Sequence, residues 1–354
     1  MPARRHPLAL ALCALSSSVA ACGPGGGAAE AEAASDLTAA GPDAQFAGGF
    51  APRHAPWGGF GGGACKARRT PVVFFHGNHN RAQDWDDAPS TGGPSVYQTL
   101  RADGYQDCEL FGINWLSPDA RVAQLLNTHD AAKAELAAGF IADVLAYTKA
   151  AQVDVVGHSM GVTVALHALS RAGLWSKVRR FISISGAMRG LDSCSSVGNA
   201  DPAFAACFSQ SWLDPDVFGF YPDSPPLAPN PRMGPRGFEA APAQAPGTVF
   251  YSIGSGAHDG FTCTTTSPFP SCAETSRFDT GANVRAQLDV GSGSTSRTLD
   301  HDLSDGSIYV VDGGDADGVG HIRAKSNTGR VQRNLLRTEC LGAACCAGYA
   351  GRCQ

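Results

Sequence analysis

Residues 153–161 read Val153-Asp154-Val155-Val156-Gly157-His158-Ser159-Met160-Gly161, and the fold is read outward from them. Val153, Val155 and Val156 form an apolar, β-branched run of the kind found in a strand buried on both faces. Just past the serine, Val162, Val164, Ala165, Ala168 and Leu169 set an apolar stripe along a helix. Between strand and helix lies a tight turn with Ser159 at its apex. Gly157 and Gly161 flank it, because a cramped backbone tolerates only small neighbours there. Such a bend holds a hydroxyl above the edge of a sheet, where a base can reach it. The five-residue pattern alone is weak in a chain with 43 glycines among 354 residues, and a plain Gly-Ser turn is the competing account. The strand before it and the helix after it carry the case.

The same alternation continues on both sides. Pro71-Val72-Val73-Phe74-Phe75 reads as a strand that runs into His76-Gly77-Asn78. Leu110, Phe111, Ile113 and Trp115 suggest another. From Asp130 to Ala150, the spacing of Ala134, Ala137, Phe140, Ile141, Val144 and Leu145 predicts an amphipathic helix. Strands are expected again at Arg180–Gly186 and Thr248–Ile253. Strand and helix in alternation predict an α/β fold, a mostly parallel sheet with helices on both faces. The rhythm breaks at about 190–247, a lid-like insertion rich in Pro and Gly that carries Phe204, Phe208, Trp212, Phe218, Phe220 and Tyr221. Long insertions of this kind are usually functional. Its aromatics either face an apolar substrate or form a satellite core pinned by Cys194 and Cys207, and the two readings stand together.

Composition narrows the classes. Charged residues are only 17% of the chain, and 27 basic against 32 acidic residues leave a net charge of −5, the wrong sign for a general nucleic-acid binder. Two basic clusters, Lys66/Arg68/Arg69 and Lys177/Arg179/Arg180, read as solvated flanks of buried strands. Residues 1–21 read as an export signal, with Arg4 and Arg5 ahead of an apolar core, Leu8 to Leu15, too short to span a bilayer. Val19-Ala20-Ala21-Cys22 resembles the bacterial lipobox, which implies acylation of Cys22 and attachment to the cell envelope; an ordinary signal peptide cut near Ala21 is the alternative. Residues 22–63, rich in Gly and Ala without apolar periodicity, are expected to be a flexible tether, with Phe46, Phe50, Trp57 and Phe60 docking its end on the domain. Of 12 cysteines, Cys13 leaves with the signal and Cys22 is spent if acylated. The rest suit disulfides in an oxidising compartment, with Cys194/Cys207 and Cys263/Cys272 as local pairs. The catalytic domain is expected over 64–338 and a Cys-rich tail over 339–354, whose spacing lacks the paired Cys-x-x-Cys of a zinc site.

The His76-Gly77 strand end, the Ser159 elbow and the segment Gly318-Val319-Gly320-His321 together resemble the secreted bacterial lipase and esterase branch of the α/β-hydrolases, with a likeness to extracellular polyhydroxyalkanoate depolymerases. The resemblance covers about Cys65 to Thr338. It implies a serine hydrolase with Ser159 as nucleophile, His321 as base and an acid after a late strand. Asp259 fits that place, with Asp279 and Asp289 as competitors. His301, flanked by acids, is the rival base; His258 is expected to be a loop residue and His76 structural. Oxyanion donors are expected from the backbone N–H groups of Asn78 and Met160. No cofactor is implied, although Asp312, Asp315 and Asp317 hint at calcium without the spacing of an EF-hand; a turn rich in acids is the simpler reading. The expected substrate is an acylglycerol or related lipid. A polyester depolymerase, an acyltransferase and a non-catalytic surface-binding protein are the alternatives.

Overall fold

A computed structural model describes residues 43–191, 194, 202–209, 211, 213–221, 238–262, 272–293 and 314–354. The expectations for residues 1–42, including acylation at Cys22, lie outside these, as do those for Trp212, Cys263, His301 and Asp312. Eight strands form one sheet: β1 (Ala44–Ala47), β2 (Gly59–Gly62), β3 (Val72–Phe75), β4 (Leu110–Ile113), β5 (Val153–His158), β6 (Val178–Ile184), β7 (Val249–Gly254) and β8 (Val284–Asp289). Their order is β1-β2-β4-β3-β5-β6-β7-β8. Every neighbouring pair is parallel except β2 with β4. β5, the strand that ends in the serine turn, lies at the centre, with Phe75 of β3 opposite Gly157 and Ile184 of β6 opposite His158.

The central strands are largely apolar because both faces are covered. Val73, Phe75, Val153, Val155, Phe181 and Phe250 point into one core, filled from the other side by α3 (Ala131–Thr148) and α4 (Met160–Arg171), which follow α1 (Val96–Ala102) and α2 (Pro118–Val122) in the chain. Val72, Phe74, Val156, Ile182, Ile184, Tyr251 and Ile253 point into the opposite core, against α1 and the helix Gly329–Arg337. Each strand thus sends alternate residues to opposite layers, as the period of two requires. Asp130 caps α3 by accepting the N–H of Lys133 at 2.8 Å, so the helix starts where the sequence placed it.

Three expectations need correcting. The tether does not extend to residue 63: from Asp43 onward it is built into the sheet as β1 and β2, and Phe50 and Phe60 are 4% and 1% exposed. Glycine makes this edge possible, since a Cβ on Gly59 would lie 2.1 Å from the Gly112 carbonyl oxygen of β4. The tail is likewise part of the domain. Cys340–Cys345 and Cys346–Cys353 are disulfides, Cys345 is fully buried, and Gln354 exchanges two backbone hydrogen bonds with Asp289 at the end of β8. The second basic cluster is no solvated flank: Arg179 is ion-paired with the fully buried Asp154, and Arg180, 5% exposed, donates to the Leu336 carbonyl at 2.8 Å. Cys194–Cys207 forms as expected, and Cys65–Cys108 adds a closure over 43 residues. Within the insertion, Phe218 and Phe220 are not a separate satellite; they join the core above α3 and α4.

Candidate active site

Ser159 sits between β5 and α4 with φ 53° and ψ −129°, a conformation that a residue with a side chain occupies only when its surroundings impose it. Its N–H is held by the Ile184 carbonyl at 2.9 Å. The constraint on the other side is Gly161. A Cβ there would lie 2.3 Å from the His76 carbonyl oxygen and 2.6 Å from that of Phe75, so only glycine lets the start of α4 touch the end of β3. Gly161→Ala is therefore expected to destabilise the fold by about 3 kcal/mol, in the range of overpacked cores, and to lower activity by moving Ser159 away from the loop after β3. A melting curve and a p-nitrophenyl ester assay on the same sample check both effects.

That loop, His76-Gly77-Asn78, lies against the turn: a Cβ on Gly77 would fall 3.1 Å from the Ser159 Cβ. The Asn78 side chain is fixed, donating to the Gln124 carbonyl at 2.8 Å and accepting from Asn127 at 2.6 Å. Its backbone N–H donates to no group among the described residues. The N–H of Met160, first residue of α4, has no acceptor within its own helix. Two unspent main-chain donors thus flank the serine turn. His76 is structural. It is 1% exposed, its ring stacks on Trp115 at 5.1 Å, its Nδ1–H donates to the Gly77 carbonyl at 2.8 Å, and burial pushes its pKa down to about 4.

His321 and Asp259 meet in the interior. The His321 Nδ1–H donates to the Asp259 carboxylate, 2.9 Å from each oxygen, across 62 residues of sequence. Asp259 follows β7 after a short 3-10 turn, Gly256–His258, and is 1% exposed; His321 is 5% exposed. Burial alone would raise the pKa of Asp259. The neighbouring imidazole and the N–H groups of Thr262 and Phe261, at 2.9 and 3.0 Å, outweigh it and hold the carboxyl below the ordinary range. With Nδ1 committed as a donor, the free lone pair is on Nε2. The loop carrying His321 abuts the serine turn: His158 donates from Nε2–H to the His321 carbonyl at 3.0 Å, and the two rings are 5.0 Å apart. Among the described residues no hydrogen bond joins the Ser159 hydroxyl to His321, a looseness common in ligand-free sites of this kind.

The competing acids lie elsewhere. Asp279 pairs with Arg189 at 2.7 Å, and Asp289 holds the Gly291 N–H at 2.8 Å and the chain end beside β8. His258 is a buried residue of the 3-10 turn before Asp259. Asp315 spends its carboxylate on backbone N–H groups, and among the described residues no group of three His, Cys, Asp or Glu could hold a metal ion. Sequence reading missed four residues that surround His321. Phe261 lies 4.7 Å from its ring; Ser255 donates to the Gly320 carbonyl at 2.5 Å; His158 and Asp315 hold the loop on either side. Phe261 and Ser255 lie beside Asp259 in sequence, the one signal that could have found them.

Residues 69–214 match the family described as Lipase (class 2). Among curated proteins none matches the chain. Similar solved structures include the Bacillus licheniformis lipase BlEst2 in its propeptide form, with 15% identity and a TM-score of 0.36, covering 56% of this chain and 38% of that one. Aspergillus fumigatus lipase B has 18% identity and a TM-score of 0.31, covering 52% and 37%. The mature form of BlEst2 has 17% identity and a TM-score of 0.34, covering 54% and 68%. The chain thus spans less than two fifths of the length of the first two.

Proposed function

We propose that this chain is a serine hydrolase of the lipase and esterase branch of the α/β-hydrolases, which cleaves carboxylic esters through an acyl-serine intermediate; the class 2 lipase match over residues 69–214 and the mostly parallel sheet support the reading. The observation that carries the reading is the buried His321–Asp259 pair, at 2.9 Å, on a loop that touches the strained Ser159 turn. His321 Nε2 takes the proton from Ser159 Oγ as that oxygen attacks the ester carbonyl. The imidazolium so formed is stabilised by Asp259. The N–H groups of Asn78 and Met160 receive the negative charge on the carbonyl oxygen, at roughly 3 kcal/mol of transition-state stabilisation each. Collapse expels the alcohol, which takes its proton from His321. Water, deprotonated by the same Nε2, then frees the acid and restores Ser159. The chemistry uses no cofactor.

The substrate is apolar. Among the described residues the exposed large hydrophobic side chains are Val122, Leu126, Leu213, Ile322 and Leu341. Val122 and Leu126 flank the segment that pins Asn78, and Ile322 follows His321. Such a rim favours a lipid aggregate, or the surface of a polyester, over a small polar ester. Four disulfides among the described residues and the reading of residues 1–21 and Cys22 support export, with attachment to the envelope by acylated Cys22. No helix among the described residues is long and apolar enough to cross a membrane.

A serine-directed phosphonate tests the site, and an ester panel the substrate. The expected result is one label, on Ser159 by peptide mass, and release of fatty acid from long-chain acylglycerols. Clearing of a polyhydroxyalkanoate suspension without acylglycerol release would move the assignment to the polyester. A chain that takes no label would be a binding protein.

A further inference from the structure

One carboxylate outside the proposed machinery grips the main chain on both sides of His321. Asp315 Oδ1 accepts the N–H of Gly320 at 2.6 Å and of Arg323 at 3.1 Å; Oδ2 accepts the N–H of Ile322 at 3.0 Å and of Arg323 at 3.1 Å. The side chain is buried, with the residue 6% exposed. The carbonyls of the same stretch are met from elsewhere, Gly320 by Ser255 and His321 by His158. Charge-assisted bonds to three N–H groups within four residues fix the backbone before and after His321. They therefore set the direction of its Cα–Cβ bond, while Asp259 fixes the far end of the ring.

We propose that Asp315 is the positioning residue of His321, its carboxylate holding the backbone of the histidine loop so that Nε2 stays aimed at Ser159. The proposal rests on the reading of His321 as the base. Its geometry separates two tasks: Asp259 stabilises the imidazolium, and Asp315 keeps the ring in place between turnovers. A misplacement of about 1 Å is enough to cost roughly 100-fold in rate.

The arrangement is sensitive to acid. Burial raises the Asp315 pKa to about 6, against the lowering effect of the N–H bonds from Gly320, Arg323 and Ile322 and of His321. Charged and titratable neighbours are His321 and Arg323 on its own loop and the helix after it, Asp317 on its own turn, His258 behind Gly314, and Asp87 and Lys325, which line a cavity of about 350 Å³ with it. A proton on the carboxyl turns an acceptor oxygen into a donor facing N–H groups, and the grip loosens. Because the folded chain binds this proton more readily than the unfolded one, the carboxyl's contribution to stability is full below the ordinary carboxylate range and lost as pH rises through about 6. Above that pH its charge holds the loop at the expense of stability. The neutral Asp315→Asn variant is therefore not expected to melt earlier at pH 8 for lack of charge.

The test is steady-state kinetics on a soluble p-nitrophenyl ester from pH 4.5 to 9 (about one unit steps), on the full chain and on Asp315→Asn, with a melting curve for each. The expected result for the variant is kcat lowered about 10- to 100-fold, with KM within about twofold and the fold intact, while Asp315→Glu recovers part of the loss. In the unaltered protein the acid limb of log kcat/KM should include a step from the Asp315 carboxyl that Asp315→Asn lacks. Should Asp315→Asn not fold, Asp315→Glu serves in its place, with kcat expected below the parent at unchanged KM because its carboxylate is displaced from the three N–H groups. Full kcat in a folded Asp315→Asn, or in Asp315→Glu where the first does not fold, overturns the proposal. Phosphonate labelling of Ser159 that persists in either case leaves the hydrolase reading standing; its absence removes that reading instead.

Discussion

Replacement of Ser159 by alanine is expected to abolish ester hydrolysis, with kcat lower by on the order of 10⁶-fold. The loss follows from chemistry alone, since no other group at the apex of the β5–α4 turn can form the acyl intermediate. It should not follow from unfolding. Among the described residues the Ser159 hydroxyl makes no hydrogen bond, and the residue is held by its N–H to Ile184 and by the close packing of Gly161 on β3, both of which alanine keeps. Far-ultraviolet circular dichroism and the melting temperature should therefore match the parent within a few degrees, while p-nitrophenyl ester turnover drops to background. Turnover at the parental rate would exclude Ser159 from the mechanism.

The second large effect is expected at Asp259. Asp259→Asn should lower kcat by roughly 10⁴-fold, the loss seen when an acid–histidine pair is left with the wrong tautomer. The carboxylate now accepts the His321 Nδ1–H, which leaves Nε2 free to take a proton. An amide in its place can offer its NH₂ to Nδ1, and the ring then carries its own proton on Nε2, facing the serine. The amide oxygen can still accept the N–H groups of Phe261 and Thr262, so the turn after β7 should persist. Asp279→Asn and Asp289→Asn are the controls: with their carboxylates committed to Arg189 and to the end of β8, each should stay within about threefold of the parent. Loss of activity in a control rather than at Asp259 would reassign the acid.

The centre of the sheet was legible because its strands are apolar on both faces and its helices are amphipathic. Runs such as Val72–Phe75 and Val153–Val156 have few other ways to be buried. The turn at Ser159 and the loop before His321 were legible as local structure because a strained turn and a tight loop demand glycine at fixed offsets, and glycine leaves a mark in the sequence. β2 was not. Its residues, Gly59-Phe60-Gly61-Gly62, carry almost no side-chain pattern, and it forms only because β1 and β4 supply partners on either side. The tail was hidden for a related reason: two short disulfide loops show no periodicity, and their docking on β8 is a main-chain contact. Asp315 was read as no more than one acid of an acid-rich turn, since a carboxylate that binds backbone N–H groups places no requirement on the identity of the residues it binds. What the sequence alone records poorly is work done between main-chain atoms.

The pairing of Gln354 with Asp289 has a practical corollary. β8 borders solvent, and an open strand at the rim of a sheet is a template for another molecule to add to. Here residues 346–354, closed into a loop by Cys346–Cys353, pair with the last residue of that strand, Asp289. Production in a reducing cytosol would leave this segment unfastened from the end of β8, whereas passage through an oxidising compartment holds it there.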